Sequence, residues 1–185
     1  MVGATVNHPT LKPWKYGEDI GGWFAPDLQT KLAELIAKHD VKTVLEIGTC
    51  YGCSAIWFAQ RVERVTCVDL FGDIAEHALT GTLDMFVRNL AAARVADRVH
   101  GLVGDSHDPM TLGYKMAVDL VYLDGDHTYK GAKQDIEMYG PMACKVLCGD
   151  DYDVDLPSVA GVIRAVDECV PGRETFGRFW WKEVV

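Results

Sequence analysis

Five short apolar runs, each stopping at a glycine or an aspartate, constrain this chain more than any other feature. They are Thr43–Ile47 (TVLEI), 64–68 (RVTCV), 98–103, Val118–Leu123 (VDLVYL) and 144–148. Each has strand length, and none shows the clean alternation of a strand with one wet face. Helical periods lie between them. Leu28, Leu32, Leu35 and Ile36 share one face over residues 28–38, with Asp27 as N-cap. A helix is predicted from about 54 to 62. Thr82 caps another, in which Leu83, Phe86, Val87 and Leu90 recur at helical spacing. Residues 128–139 turn Ala132, Ile136 and Tyr139 inward, and Val159, Val162, Ile163, Val166 and Val170 line a further helix. Residues 70–81 connect without a clear period. Residues 179–184 read as a last strand, with Trp180 and Trp181 as its core and edge residues.

Strand and helix alternating at this spacing predict an α/β fold. Right-handed crossovers then set helices on both faces of a doubly wound, mainly parallel sheet. The 185 residues suit a single domain with one sizeable core, and residues 1–27 read as an N-terminal lid segment. Its aromatics, Trp14, Tyr16, Trp23 and Phe24, could cover a ligand or simply pack on the sheet edge.

A composition of 49% apolar and 24% charged residues excludes intrinsic disorder and collagen-like repeats. The formal charge of -9 disfavours non-specific nucleic-acid binding, because an acidic surface repels phosphates. The N-terminus lacks a signal-peptide pattern, and no stretch reaches the roughly 18 apolar residues of a membrane span. Six cysteines lie mostly in or beside apolar runs, which fits a reduced, cytoplasmic protein. Cys50 and Cys53 would need Cys144 and Cys148 to make a zinc site, and that spacing is irregular.

In doubly wound folds, ligands gather at the carboxyl ends of the strands. The first end is Glu46-Ile-Gly48-Thr-Cys-Tyr-Gly52, where glycines permit a sharp turn and a close ligand. The helix that follows would aim its free N–H groups there. The second end is Asp69, placed to accept ribose hydroxyls or to act as a strand-terminal cap. The third is Gly104-Asp105-Ser106, a base-edge contact or a polar turn. The fourth and fifth are Asp124-Gly-Asp126-His127 and Gly149-Asp150-Asp151. Neighbouring carboxylates repel, and a hard divalent cation relieves that repulsion. Solvated loop acids are the alternative. His127 suits a general base near neutrality, or it makes only a structural hydrogen bond.

Together these ends resemble the class I S-adenosylmethionine-dependent methyltransferases. The match runs through VLEIGTCYGCSA, VTCVDL, VGDS, DLVYLDGDHTYKGAKQDI and VLCGDDY, over roughly residues 40–170. The LDGDHxYxGxxxD stretch is similar to small bacterial-type O-methyltransferases, a branch that resembles catechol and macrolide-sugar O-methyltransferases. The resemblance implies S-adenosylmethionine and Mg²⁺ as cofactors. It implies that Glu46, Gly48, Thr49, Cys50, Tyr51 and Gly52 shape the methionine pocket, with Ser54 near its carboxylate. Asp69 and Leu70 would lie at the ribose and Gly104, Asp105 and Ser106 at the adenine. Asp124, Asp150 and Asp151 would hold the metal, with Asp124 also beside the cofactor, and Asp126 and His127 would support them or act as base. Two departures stand out: Cys50 replaces a glycine common in the first loop, and only 173–185 remain for the two closing strands. A neighbour in a homo-oligomer could complete the acceptor pocket.

The implied reaction is methyl transfer to a hydroxylated small molecule, with no nucleic acid or membrane as partner. Three other readings compete with this one. An NAD-dependent oxidoreductase lacks its G-x-G-x-x-G fingerprint here. Base-methylating enzymes resemble [DNS]PP[YFW] where this chain has DGDH. A cofactor-binding protein without catalysis uses overlapping residues.

Overall fold

The computed structural model describes residues 15–18, 24–72, 81–112, 116–153 and 155–184. The expected lid over 1–27 and the 70–81 connection fall largely outside them, and of the lid's aromatics only Tyr16 and Phe24 are described. In chain order the elements are α1 (Pro26–His39), β1 (Thr43–Ile47), α2 (Cys53–Ala59), β2 (Arg64–Asp69), α3 (Thr82–Ala93), β3 (Val99–Val103) and α4 (Pro109–Leu112). There follow β4 (Val118–Leu123), α5 (Tyr129–Tyr139), β5 (Ala143–Gly149), α6 (Ala160–Cys169), β6 (Glu174–Phe176) and β7 (Phe179–Glu183).

The strands form one sheet in the order β3-β2-β1-β4-β5-β7-β6. Strands β1 to β5 pair in parallel, and β7 runs antiparallel between β5 and β6. The chain winds outward from β1 one way and from β4 the other. The crevice between those two strand ends is therefore the place where a ligand can enter. Alternate side chains feed two cores. Val44, Val65, Leu120, Tyr122, Val146 and Trp181 pack with α1, α2 and α3. Leu45, Val121, Leu147 and Trp180 pack with α5 and α6. Burial on both faces explains the continuous apolar runs.

Four details differ from the sequence expectations. Helix α1 starts one residue before Asp27, because Pro26 suits the first helical position and Ala25 is the N-cap. Asp27 sits in the first turn, where its charge favours the helix dipole. Thr82 is inside α3 and buried, and Gly81 caps it from the left-handed region. Strand β3 is mostly exposed, since it pairs only with β2 at the sheet edge. Trp181 is as enclosed as Trp180, at 5% and 1% exposure, because β6 covers the edge that β7 would otherwise present. Among the described residues, no helix is long and apolar enough to cross a membrane.

Candidate active site

The loop after β1 is built by hydrogen bonds to its neighbours. Gly48 donates to Val68 O at 2.9 Å, with φ at 83°. A Cβ on Gly48 would lie 2.0 Å from the Asp124 carbonyl oxygen, so only glycine lets this loop touch the one after β4. Thr49 and Cys50 each donate a backbone N–H to Asp69 Oδ2 at 2.8 Å, and Phe71 donates to Oδ1 at 2.7 Å. Asp69 thus ties its own strand end to the loop, and a lone pair remains on Oδ1. Cys50 adopts a φ of 48°, in the left-handed region that glycine occupies at least cost. Gly52 caps α2 with the Phe86 ring against it. Tyr51 is buried, and its carbonyl accepts from Asn89 Nδ2 at 2.9 Å.

Glu46 is fully buried on β1, opposite Cys67 and Tyr122. Its Oε2 accepts from the Thr49 hydroxyl at 2.7 Å and the Cys67 thiol at 3.2 Å. Its Oε1 has no partner among the described residues. Burial pushes the carboxyl up to about 7, and the polar groups of the nearby Ser54, Thr49 and Cys67 oppose the shift. Leu70, beside Asp69, is 64% exposed. Burial also pushes the Cys50 and Cys53 thiols up to about 12, so neither is a ready nucleophile.

Gly104 donates to Asp69 O at 2.9 Å, which fixes the turn after β3. Asp105 is exposed and accepts the His107 N–H at 2.8 Å. The Ser106 carbonyl accepts from the Tyr139 hydroxyl at 2.6 Å. Helix α5 holds this turn twice more, through Gln134 Nε2 on His107 O and through Asp135 Oδ1, 3.3 Å from His107 Nε2. Asp135 is buried, and burial raises its carboxyl to about 6 against hydrogen bonds from Ser106 and the Asp126 backbone. It braces the loop after β3 against the loop after β4. Asp135 closes the LDGDHxYxGxxxD stretch, whose spacing alone assigns it no role.

The acids after β4 and β5 form the chemical centre. Asp124, His127 and Asp151 bring one ligand atom each within 4.8 Å of one another, the only such group among the described residues. His127 Nε2 lies 2.8 Å from Asp151 Oδ2 and 4.0 Å from Asp124 Oδ1. Removal from water, then repulsion from Asp151 and Asp150, lifts Asp124 well above the usual carboxylate range. Burial alone would also lift Asp151, but the His127 hydrogen bond and nearby cations hold it below its usual value. That same bond raises His127, with burial opposing.

Asp150 does not join the trio. Its Oδ1 accepts from Arg178 Nε and from the Asp151 N–H, each at 2.8 Å, while its buried Oδ2 lacks a partner. Burial lifts its carboxyl to about 6, with the Arg178 charge opposing. Arg178 also donates from Nη2 to Asp151 Oδ1. Nothing in the sequence singled out Arg178, since an arginine in a short polar turn has no signature. Asp126 faces the start of α5: its Oδ1 accepts the Thr128 N–H at 2.8 Å, and its carboxyl lies where a Gly131 Cβ would be. A small cleft of about 20 Å³ is lined by Asp124, Asp126, His127, Asp150, Asp151 and Trp180, among others.

This sheet order, with a glycine loop at its switch point and acids on the adjoining strand ends, defines a class I methyltransferase fold. A family model described as a methyltransferase domain matches residues 45–147, and the chain belongs to that family. Solved structures share the fold. The O-methyltransferase from Bacillus cereus in complex with SAH is 22% identical, with 87% of this chain and 81% of that chain covered and a TM-score of 0.64. Cofactor-bound Rv0187 from MTB is 24% identical, with 85% and 79% covered and a TM-score of 0.65. The O-methyltransferase TomG from Streptomyces achromogenes, involved in tomaymycin synthesis and solved with SAM, is 21% identical, with 85% and 78% covered and a TM-score of 0.59. No curated protein matches the sequence at a significant level.

Proposed function

We propose that this chain is a single-domain enzyme that transfers a methyl group from S-adenosylmethionine to a hydroxyl of a small molecule, assisted by Mg²⁺ or a similar cation. The contact between Gly48 and the Asp124 carbonyl carries the reading. It sets the donor-side loop against the acceptor-side loop, so two bound reactants would meet across one short gap.

The donor side fits the cofactor. The unpartnered, buried Glu46 Oε1 suits an ammonium group. Asp69 Oδ1 retains a lone pair for a ribose hydroxyl, and exposed Leu70 and Val103 offer apolar faces to a purine. S-adenosylmethionine supplies the methyl group as an electrophile on its sulfonium.

The acceptor side fits a hard cation. Asp124 and Asp151 would hold it, their mutual repulsion being the reason for binding. Such an ion lowers the pKa of a bound hydroxyl. His127 would take the hydroxyl proton at Nδ1, while its Nε2–H donates to Asp151 Oδ2 at 2.8 Å and Asp151 so stabilises the resulting imidazolium.

The test is a panel of catechols, sugars and other hydroxylated metabolites incubated with methyl-labelled S-adenosylmethionine, with Mg²⁺ or with EDTA. Label in a methyl ether, lost with EDTA, supports the reading. Turnover that EDTA leaves unchanged removes the cation, and label found only on nitrogen or carbon removes O-methylation.

A further inference from the structure

We propose that Arg178 is the resident counter-cation of the acidic crevice, and that it competes with a divalent cation for the carboxylates after β5. The inference rests on the metal-assisted reading above and adds a residue that governs when the ion can bind. Arg178 follows Gly177 in the turn between β6 and β7. Its carbonyl accepts the Tyr152 N–H at 2.8 Å, so its backbone is fastened to the segment that carries Asp150 and Asp151. Its side chain closes the ring from the other side. Nε donates to Asp150 Oδ1 at 2.8 Å, and Nη2 donates to Asp151 Oδ1. This fork spans two carboxylates, a geometry that arginine can make and lysine cannot.

The arrangement leaves little for a second cation. One oxygen of Asp151 faces Arg178 and the other faces His127. Asp150 is 2% exposed, and its Oδ2 has no hydrogen-bond partner among the described residues. A buried carboxylate oxygen without a donor is a demand for charge that one guanidinium has only half met. Divalent cations sit roughly 2.0–2.6 Å from their oxygen ligands. An ion that close to Asp150 or Asp151 would press against the guanidinium, and like charges at such range repel strongly. It can use both acids only if Arg178 withdraws. The Arg178 side chain is 33% exposed, so it has a route to solvent. Loading of the crevice is therefore an exchange of one cation for another, and the β6–β7 turn sets the affinity.

Mn²⁺ binding to the full chain, followed by the loss of its free-ion paramagnetic resonance signal, tests this directly. R178Q should bind Mn²⁺ at least tenfold more tightly than the parent. Equal or weaker binding in R178Q overturns the competition while leaving the metal reading in place. Failure of both proteins to bind Mn²⁺ overturns both. A second measurement needs no variant. In the parent protein, the Arg178 Nε–H nuclear resonance should be protected from water exchange and should lose that protection when Mg²⁺ saturates the site. Protection that survives saturation overturns the exchange.

Discussion

Glu46 has no exposed surface, and burial pushes its carboxyl up to about 7 from an ordinary 4.5. The sign of the consequence is fixed by that direction. The protonated folded state is fully stable below the unfolded value, and stability falls as pH rises until the folded value is passed. Glu46→Gln removes the titration. Its urea midpoint should match the parent near pH 4 and exceed it at pH 8 by the equivalent of about 3 kcal/mol. Parallel midpoints at both pH values would contradict this. His127 shifts in the same direction as Glu46 and Asp151 in the opposite one, and the two act as a pair. The His127 contribution is complete below about 6.5 and is lost as pH rises through its raised value. The Asp151 contribution is complete above about 3.9 and is lost as pH falls through its lowered value. Their mutual stabilisation is fullest between those limits. His127 can accept a proton only when neutral, so methyl transfer should rise with pH above neutrality. His127→Gln should lower turnover by about 10²-fold or more and flatten that rise. A variant that keeps the parent's pH profile would remove His127 as the base.

At the level of elements, helix α6 holds the His127 loop by close contact. A Cβ on Gly161 would lie 2.4 Å from Tyr129 N and 2.6 Å from His127 O. Gly161→Ala should therefore cost about 2 kcal/mol in stability, because backbone cannot yield as a side-chain tip can. It should also weaken Mn²⁺ binding by displacing His127 and its partners. Unchanged Mn²⁺ affinity in a folded Gly161→Ala protein would show that the loop is held elsewhere. Elements were legible in the sequence where burial dictated their composition. Strands β1, β2, β4 and β5 are apolar because both faces are covered, and helices α5 and α6 show an inward stripe. Strand β6 has three exposed residues and leaves no such mark. Helix starts were misjudged where Pro26 and Gly81 decided the matter instead of a side-chain cap. The candidate site was legible as acids closing apolar runs. Arg178, a partner from a distant element, has a meaning only once the sheet has brought it in, and Asp135 shows as a motif residue whose role the sequence leaves open.

Over the whole molecule, the excess of acids is uneven. Residues 124–155 hold eight acids against three lysines, and the formal charge of the chain is -9. The fold explains part of that density. Asp124, Asp150 and Asp151 converge on one crevice, where Arg178 and His127 offset some of their charge. The same sheet order sets the glycine loop and its unpartnered Glu46 oxygen beside them. Both halves of the proposed reaction depend on a cofactor occupying the donor half. A ligand that binds only the folded state raises stability by mass action, about 2.7 kcal/mol at a hundredfold excess over its dissociation constant. For a domain of this size that amounts to several degrees. The deciding measurement is the melting temperature of the full chain with millimolar S-adenosylhomocysteine, beside a matched sample with NAD. The account predicts a rise of several degrees with S-adenosylhomocysteine and none with NAD. No rise with S-adenosylhomocysteine, or a larger one with NAD, would contradict it.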